Sequence, residues 1–130
     1  MMRKNGIDLE TQLIFLAMFW GGGGPYEISQ IIHAYDWINR GIPTREELEI
    51  ALNTLLSLEL ITMNEDKFQI PIDIGMDFDA FRKRKRKGKF KIVKMYFDQF
   101  NQPTELPNTI QISNKQYSSE LKKYRKFMAS

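Results

Sequence analysis

The stretch from Ile42 to Ile72, IPTREELEIALNTLLSLELITMNEDKFQIPI, changes its periodicity partway along, and the change decides the fold. Thr44-Arg45-Glu46-Glu47 has the S/T-x-x-E form of a capping box, in which the Thr44 hydroxyl accepts from the Glu47 amide and the Glu47 carboxylate reaches back. Leu48, Ala51, Leu52 and Leu55 follow at i, i+3, i+4 and i+7, which predicts a helix with one buried stripe. After Leu58 the pattern alternates. Ile61 and Met63 point one way, Asn64-Glu65-Asp66 supply turn chemistry, and Phe68, Ile70 and Ile72 alternate again, which predicts a short hairpin. Pro71 limits further pairing and suits an exposed edge.

Two more helices precede this stretch. Leu9, Leu13, Leu16, Ala17 and Trp20 have helical spacing between Ile7 and Trp20, with Asp8 as N-cap. Gly21 to Gly24 and Pro25 stop that helix. No strand precedes these glycines and no Lys-Ser/Thr follows them, so they read as a connector and not as a phosphate loop. Tyr26 to Asn39 predicts a second helix with Ile28, Ile31, Ile32, Tyr35 and Ile38 inward, Trp37 off that side, and Gly41 as its C-terminal cap.

Three helices followed by a small hairpin is the order of a winged helix-turn-helix, and residues 42–72 resemble the third helix and wing of that superfamily. The resemblance covers roughly residues 8 to 72. Regulators of this kind in bacteria often end the third helix with a Leu-Glu-x-x-Gly-Leu-Ile-like segment, and Leu58-Glu59-Leu60-Ile61 lacks the glycine. The expected class is therefore mainly α (α+β). A winged-helix core at 7–72 and a basic helical extension at 73–130 form one domain. The extension is expected to hold two helices: a long one from Asp77 to about Phe100, bending or fraying near Gly88, and a last one capped by Ser113 or Asn114. Tyr117, Leu121, Tyr124 and Met128 form the apolar stripe of the last helix.

At 130 residues the chain suits one compact domain, burying about two-thirds of the surface of its unfolded form. The absence of cysteine excludes disulfide scaffolds, thiolate metal sites and cysteine nucleophiles. A single histidine excludes multi-histidine metal cages. The apolar run Leu13–Trp20 after Arg3 and Lys4 is too short for a secretory signal and lacks a cleavage site. No stretch is long enough to span a membrane, so a cytoplasmic location is expected. Ser29, His33 and Asp36 lie on one helix but have no oxyanion donors, because mid-helix amides are already used. Asp73, Asp77 and Asp79 do not match a calcium loop. No catalytic, metal or cofactor site is assigned, and the chain is not expected to be an enzyme.

The formal net charge of +3 conceals a strong partition. Residues 1–81 carry five basic and thirteen acidic side chains, a net of −8, whereas residues 82–130 carry fourteen and three, a net of +11. A helix-turn-helix ordinarily sets its third helix against the major groove. Here that helix is acidic, with Arg45 and Asn53 as its candidates for guanine and adenine edges. The main nucleic-acid candidates are instead Arg82, Lys83, Arg84, Lys85, Arg86, Lys87, Lys89, Lys91 and Lys94. If helical, the six consecutive cations point all round the axis, which fits phosphate contact without base readout. Lys122, Lys123, Arg125 and Lys126 extend the same surface. The expected function is DNA binding of a transcription-regulator-like kind, with DNA as partner and with the two C-terminal helices either packing on the winged-helix core or forming a homodimer. The competing expectation is a protein-interaction or dimerisation module on the same scaffold without DNA binding, because the third helix is acidic.

Overall fold

A computed structural model describes residues 6–103 and 110–129 as six helices and one two-stranded antiparallel sheet. The order is α1 (Leu9–Trp20), α2 (Ile28–Asn39), α3 (Arg45–Ser57), β1 (Thr62–Asn64), β2 (Lys67–Gln69), α4 (Ile72–Lys85), α5 (Lys89–Phe97) and α6 (Asn114–Ala129). The mainly helical α+β class is thus as expected. Three helices follow the hairpin, not the two expected. Among the described residues no helix is long and apolar enough to cross a membrane.

The centre of the molecule is α1, which packs against α2, α3 and α5. Asp8 caps it by accepting the Thr11 amide at 3.1 Å. Every residue from Thr11 to Met18 is buried, as befits a helix that is apolar nearly all round and surrounded by partners. Leu9 is an exception to the expected inner stripe: at the helix start it is 60% exposed, and Trp20 at the other end is 46% exposed. The rest of the apolar face continues into the extension. Phe15 meets Phe78 of α4 edge-on at 5.4 Å, and it contacts Tyr96 at 6.1 Å and Phe97 at 5.3 Å on α5. Each such ring pair contributes about 0.5–1.5 kcal/mol beyond the area it buries. One continuous cluster of buried apolar residues runs from Ile7 to Tyr124, so residues beyond 72 complete the core.

The glycine run stops α1, as expected, and also has a packing role. Gly22, Gly23 and Gly24 all have positive φ, and a Cβ at Gly24 would lie 2.6 Å from the Phe68 carbonyl oxygen. That close approach lets the chain turn back along the hairpin, where Tyr26 and Phe68 exchange two backbone hydrogen bonds at 2.7 and 2.8 Å. Tyr26 therefore serves as a strand residue, and α2 begins two residues later than expected. Its C-cap is Arg40 in the left-handed region (φ 53°), one residue before the expected Gly41.

Helix α3 carries the full capping box between Thr44 and Glu47. It closes with Glu59 at φ 60° and the Leu60 amide donating to the Leu55 carbonyl, a glycine-type ending made here by glutamate. The hairpin pairs Thr62 with Gln69, Met63 with Phe68 and Asn64 with Lys67 around a Glu65-Asp66 turn in which both residues have positive φ. Ile72 does not continue the strand; it opens α4 and is exposed. The expected long helix is two helices, separated at Arg86, which is left-handed (φ 54°), and Gly88, the extended N-cap of α5. Crowded like charges weaken a helix there and glycine is a poor helix former, so the chain breaks between the basic run and Gly88. Asp77, expected as a cap, instead accepts from the Tyr96 hydroxyl at 2.8 Å. Ser113 caps α6 by accepting the Gln116 amide. Tyr124 of the expected α6 stripe is buried, while Met128 is exposed.

Candidate nucleic-acid interface

The basic run Arg82–Lys87 is divided between the last turn of α4 and the loop into α5. Four of its cations lie at the C-terminal end of α4, where the helix dipole favours positive charge. Asp79, one turn earlier, accepts from Arg82 at 2.7 Å and Lys83 at 3.0 Å. The hydrogen bond from Lys83, joined by that from Arg82, holds the Asp79 carboxyl below its ordinary range. The Arg82 guanidinium also lies over the rings of Trp20 (5.3 Å) and Phe19 (5.9 Å), which fixes the start of the run against the end of α1.

The break at Arg86–Gly88 turns the chain so that residues from both helices surround one hollow. Arg82, Lys83, Arg86, Lys87 and Lys89 line it with Trp20 and Ile92, and it encloses about 510 Å³. Five cations around a concavity focus positive potential where an anion can sit between them. The other candidates lie outside it. Arg84 and Lys85 stack on Phe81 at 5.8 and 5.6 Å, and Lys91 and Lys94 are exposed on α5. On α6, Lys122, Arg125 and Lys126 are exposed, and Lys123 pairs with Glu120 at 3.1 Å and Glu27 at 3.8 Å.

The two candidates on α3 occupy a different environment. Arg45, Glu49 and Asn53, at i, i+4 and i+8, form a polar ladder that holds the backbone of Ile110–Ile112. Arg45 Nη1 donates to the Ile112 carbonyl at 2.8 Å, and the Ile112 amide donates to Glu49 Oε2 at 2.6 Å. Asn53 exchanges two 3.0 Å hydrogen bonds with Ile110 and is 3% exposed. Just beyond, the Tyr117 hydroxyl donates to the Pro43 carbonyl, and Glu120 Oε1 accepts the Ser29 amide at 2.8 Å at the start of α2. The side chains expected to read bases are thus engaged within the protein.

Sequence reasoning missed this ladder. Asn53, between core residues Leu52 and Thr54, was its visible trace, but its partner lies 57 residues away. His33 of the Ser29, His33 and Asp36 trio makes ring contacts with Tyr124 and Phe127, and Asp36 accepts from the Tyr124 hydroxyl. Trp37 is 81% exposed. Among the described residues no acidic or histidine cluster suited to a metal is present. The chain matches no protein-family model, and no curated protein or solved structure is significantly similar to it.

Proposed function

We propose that this is a nucleic-acid-binding protein of the winged-helix kind, transcription-regulator-like, which contacts phosphates through the corner between α4 and α5. The carrying observation is the cavity in which Arg82, Lys83, Arg86, Lys87 and Lys89 converge from two helices. Cations gathered in this way gain affinity for a polyanion by releasing its counterions, with no need to read base edges. The winged-helix reading is supported by the packing of α1 on α2 and α3 and by the Tyr26 bridge, which adds a strand position between α1 and α2 to the hairpin.

Arg45 and Asn53 have no part in this reading: both amide atoms of Asn53 hold Ile110, and Arg45 donates through Nη1 to the Ile112 carbonyl. The protein-interaction reading depended on a free acidic α3, and that face is reduced. Glu47 is used in the capping box and Glu49 by Ile112, leaving Glu46 exposed. The test is binding of the full chain to a mixed-sequence duplex at about 50 mM salt, where electrostatic binding is strong. Micromolar binding that weakens steeply with salt is the expected result; no binding of either the duplex or its separated strand at that salt overturns the proposal.

A further inference from the structure

The basic cavity does not stand alone. It shares Trp20 with an apolar groove of about 690 Å³ between the end of α1, α2 and α6, with Ala17 and Ala34 among its lining residues and Trp37 and Phe127 at exposed positions. That groove shares His33 and Trp37 with a third hollow of about 560 Å³, which also contains Arg40 and Lys89. Lys89 in turn lines the basic cavity. The three hollows therefore form one connected face, and both tryptophans of the chain lie on it. Three carboxylates border this face: Glu27 paired with Lys123, Asp36 accepting from the Tyr124 hydroxyl beside Arg40 and Lys89, and Asp79 paired with Arg82 and Lys83. Seven cations line the three hollows, so the face keeps an excess of positive charge.

An exposed tryptophan beside clustered cations meets two requirements of an unpaired strand at once. Phosphates need cations along their path, and unstacked bases need aromatic faces on which to lie. A duplex can use the cations but keeps its bases stacked inside, so it gains nothing from Trp37. We propose that this face binds single-stranded nucleic acid, with the backbone held by Arg82, Lys83, Arg86, Lys87 and Lys89 and bases stacked on Trp37 and in the groove beside Trp20. The inference rests on the phosphate-binding reading of the basic cavity and adds which form of nucleic acid is preferred.

The chain's own fluorescence tests it, because both emitting residues are on the proposed face. A mixed-sequence 20-nucleotide DNA strand and the same sequence as a duplex are titrated separately into wild-type protein, Trp37→Ala and Trp37→Phe. The single strand is expected to bind more tightly than the duplex and to quench tryptophan emission. Trp37→Ala should weaken single-strand binding by about 5- to 150-fold, the range for loss of one stacked base, and leave duplex binding unchanged. Trp37→Phe should recover part of the loss. Trp37 is exposed, so folding is expected to survive both changes, and a matching melting temperature checks this. Equal or better duplex binding overturns the inference, as does a Trp37→Ala effect that is absent or the same for both forms. If either form binds with steep salt dependence but Trp37 is indifferent, only this inference fails. If neither binds at about 50 mM salt, the phosphate-binding reading fails with it.

Discussion

Replacing Asn53 with alanine tests whether α3 is covered by the chain's own C-terminal segment. In the structure Asn53 is 3% exposed and satisfies both the N–H and the C=O of Ile110. Truncation leaves those two backbone groups of the half-buried Ile110 without their partners, each costing about 1–1.5 kcal/mol, so a loss of about 2–3 kcal/mol is expected. For a chain of this length that corresponds to a fall in melting temperature of roughly 6–12 °C. The exposed neighbour Glu46, changed to alanine, should shift stability by no more than about 0.5 kcal/mol. Thermal melts of both variants, with amide exchange at Ile110 and Ile112, provide the assay. Exchange at those two amides should accelerate in Asn53→Ala and stay as in wild type in Glu46→Ala. The reasoning is refuted if Asn53→Ala melts like Glu46→Ala with its Ile110 amide still protected, because α3 would then be an open face.

Phe15→Ala removes the ring around which Phe78, Tyr96 and Phe97 gather, and a loss of about 3–5 kcal/mol by denaturant unfolding is expected. A loss below about 1 kcal/mol would separate α4 and α5 from the core. Thr44→Ala breaks the capping box of α3 and should cost about 1 kcal/mol, measured in the same way. Tyr124 donates to the Asp36 carboxylate, which favours the neutral phenol and raises its pKa from 10.0 to about 12. Below pH 10 the phenol is protonated whether folded or unfolded, and this stabilisation is complete. Between about pH 10 and 12 the unfolded chain loses its proton first, so stability falls with rising pH. Melts across that window should fall less steeply in Tyr124→Phe than in wild type, and identical slopes would count against the contact. Tyr96, also raised by burial and by Asp77, leaves some alkaline dependence in both proteins.

The sequence shows best what is encoded locally. The capping box at Thr44 and the Asp8 cap are each written within a few residues and appear where expected, and the change of period after Leu58 marks a hairpin, although Asn64 pairs in β1 instead of turning, Ile61 is buried while Met63 is exposed, and Ile72 opens α4. Tyr26 could not be assigned in this way. Its apolar ring suits the start of α2 as well as a strand, and its pairing with Phe68 depends on glycines folding the chain back. The break at Arg86–Gly88 was marked by charge crowding and glycine, but the convergence of the two sides on Trp20 depends on tertiary packing. The polar ladder on α3 was the least legible feature, since Arg45, Glu49 and Asn53 look like an exposed reading face until residues 110–112 are laid across them.

The split of charge along the sequence thus becomes a division of surface. The acidic helix is occupied by the chain itself, and the basic corner remains open. The most direct test is the slope of log K against log salt for duplex DNA, comparing wild type with Lys83→Gln, Arg86→Gln, Lys87→Gln and Lys89→Gln combined. At about 0.9 per phosphate contact, the slope should become shallower by between three and four, while Lys115→Gln with Lys122→Gln, both exposed on α6 and outside the lining of the cavity, should leave it nearly unchanged. An unchanged slope in the four-residue variant, or an equal fall in the α6 pair, would contradict the assignment of phosphate binding to the α4–α5 corner.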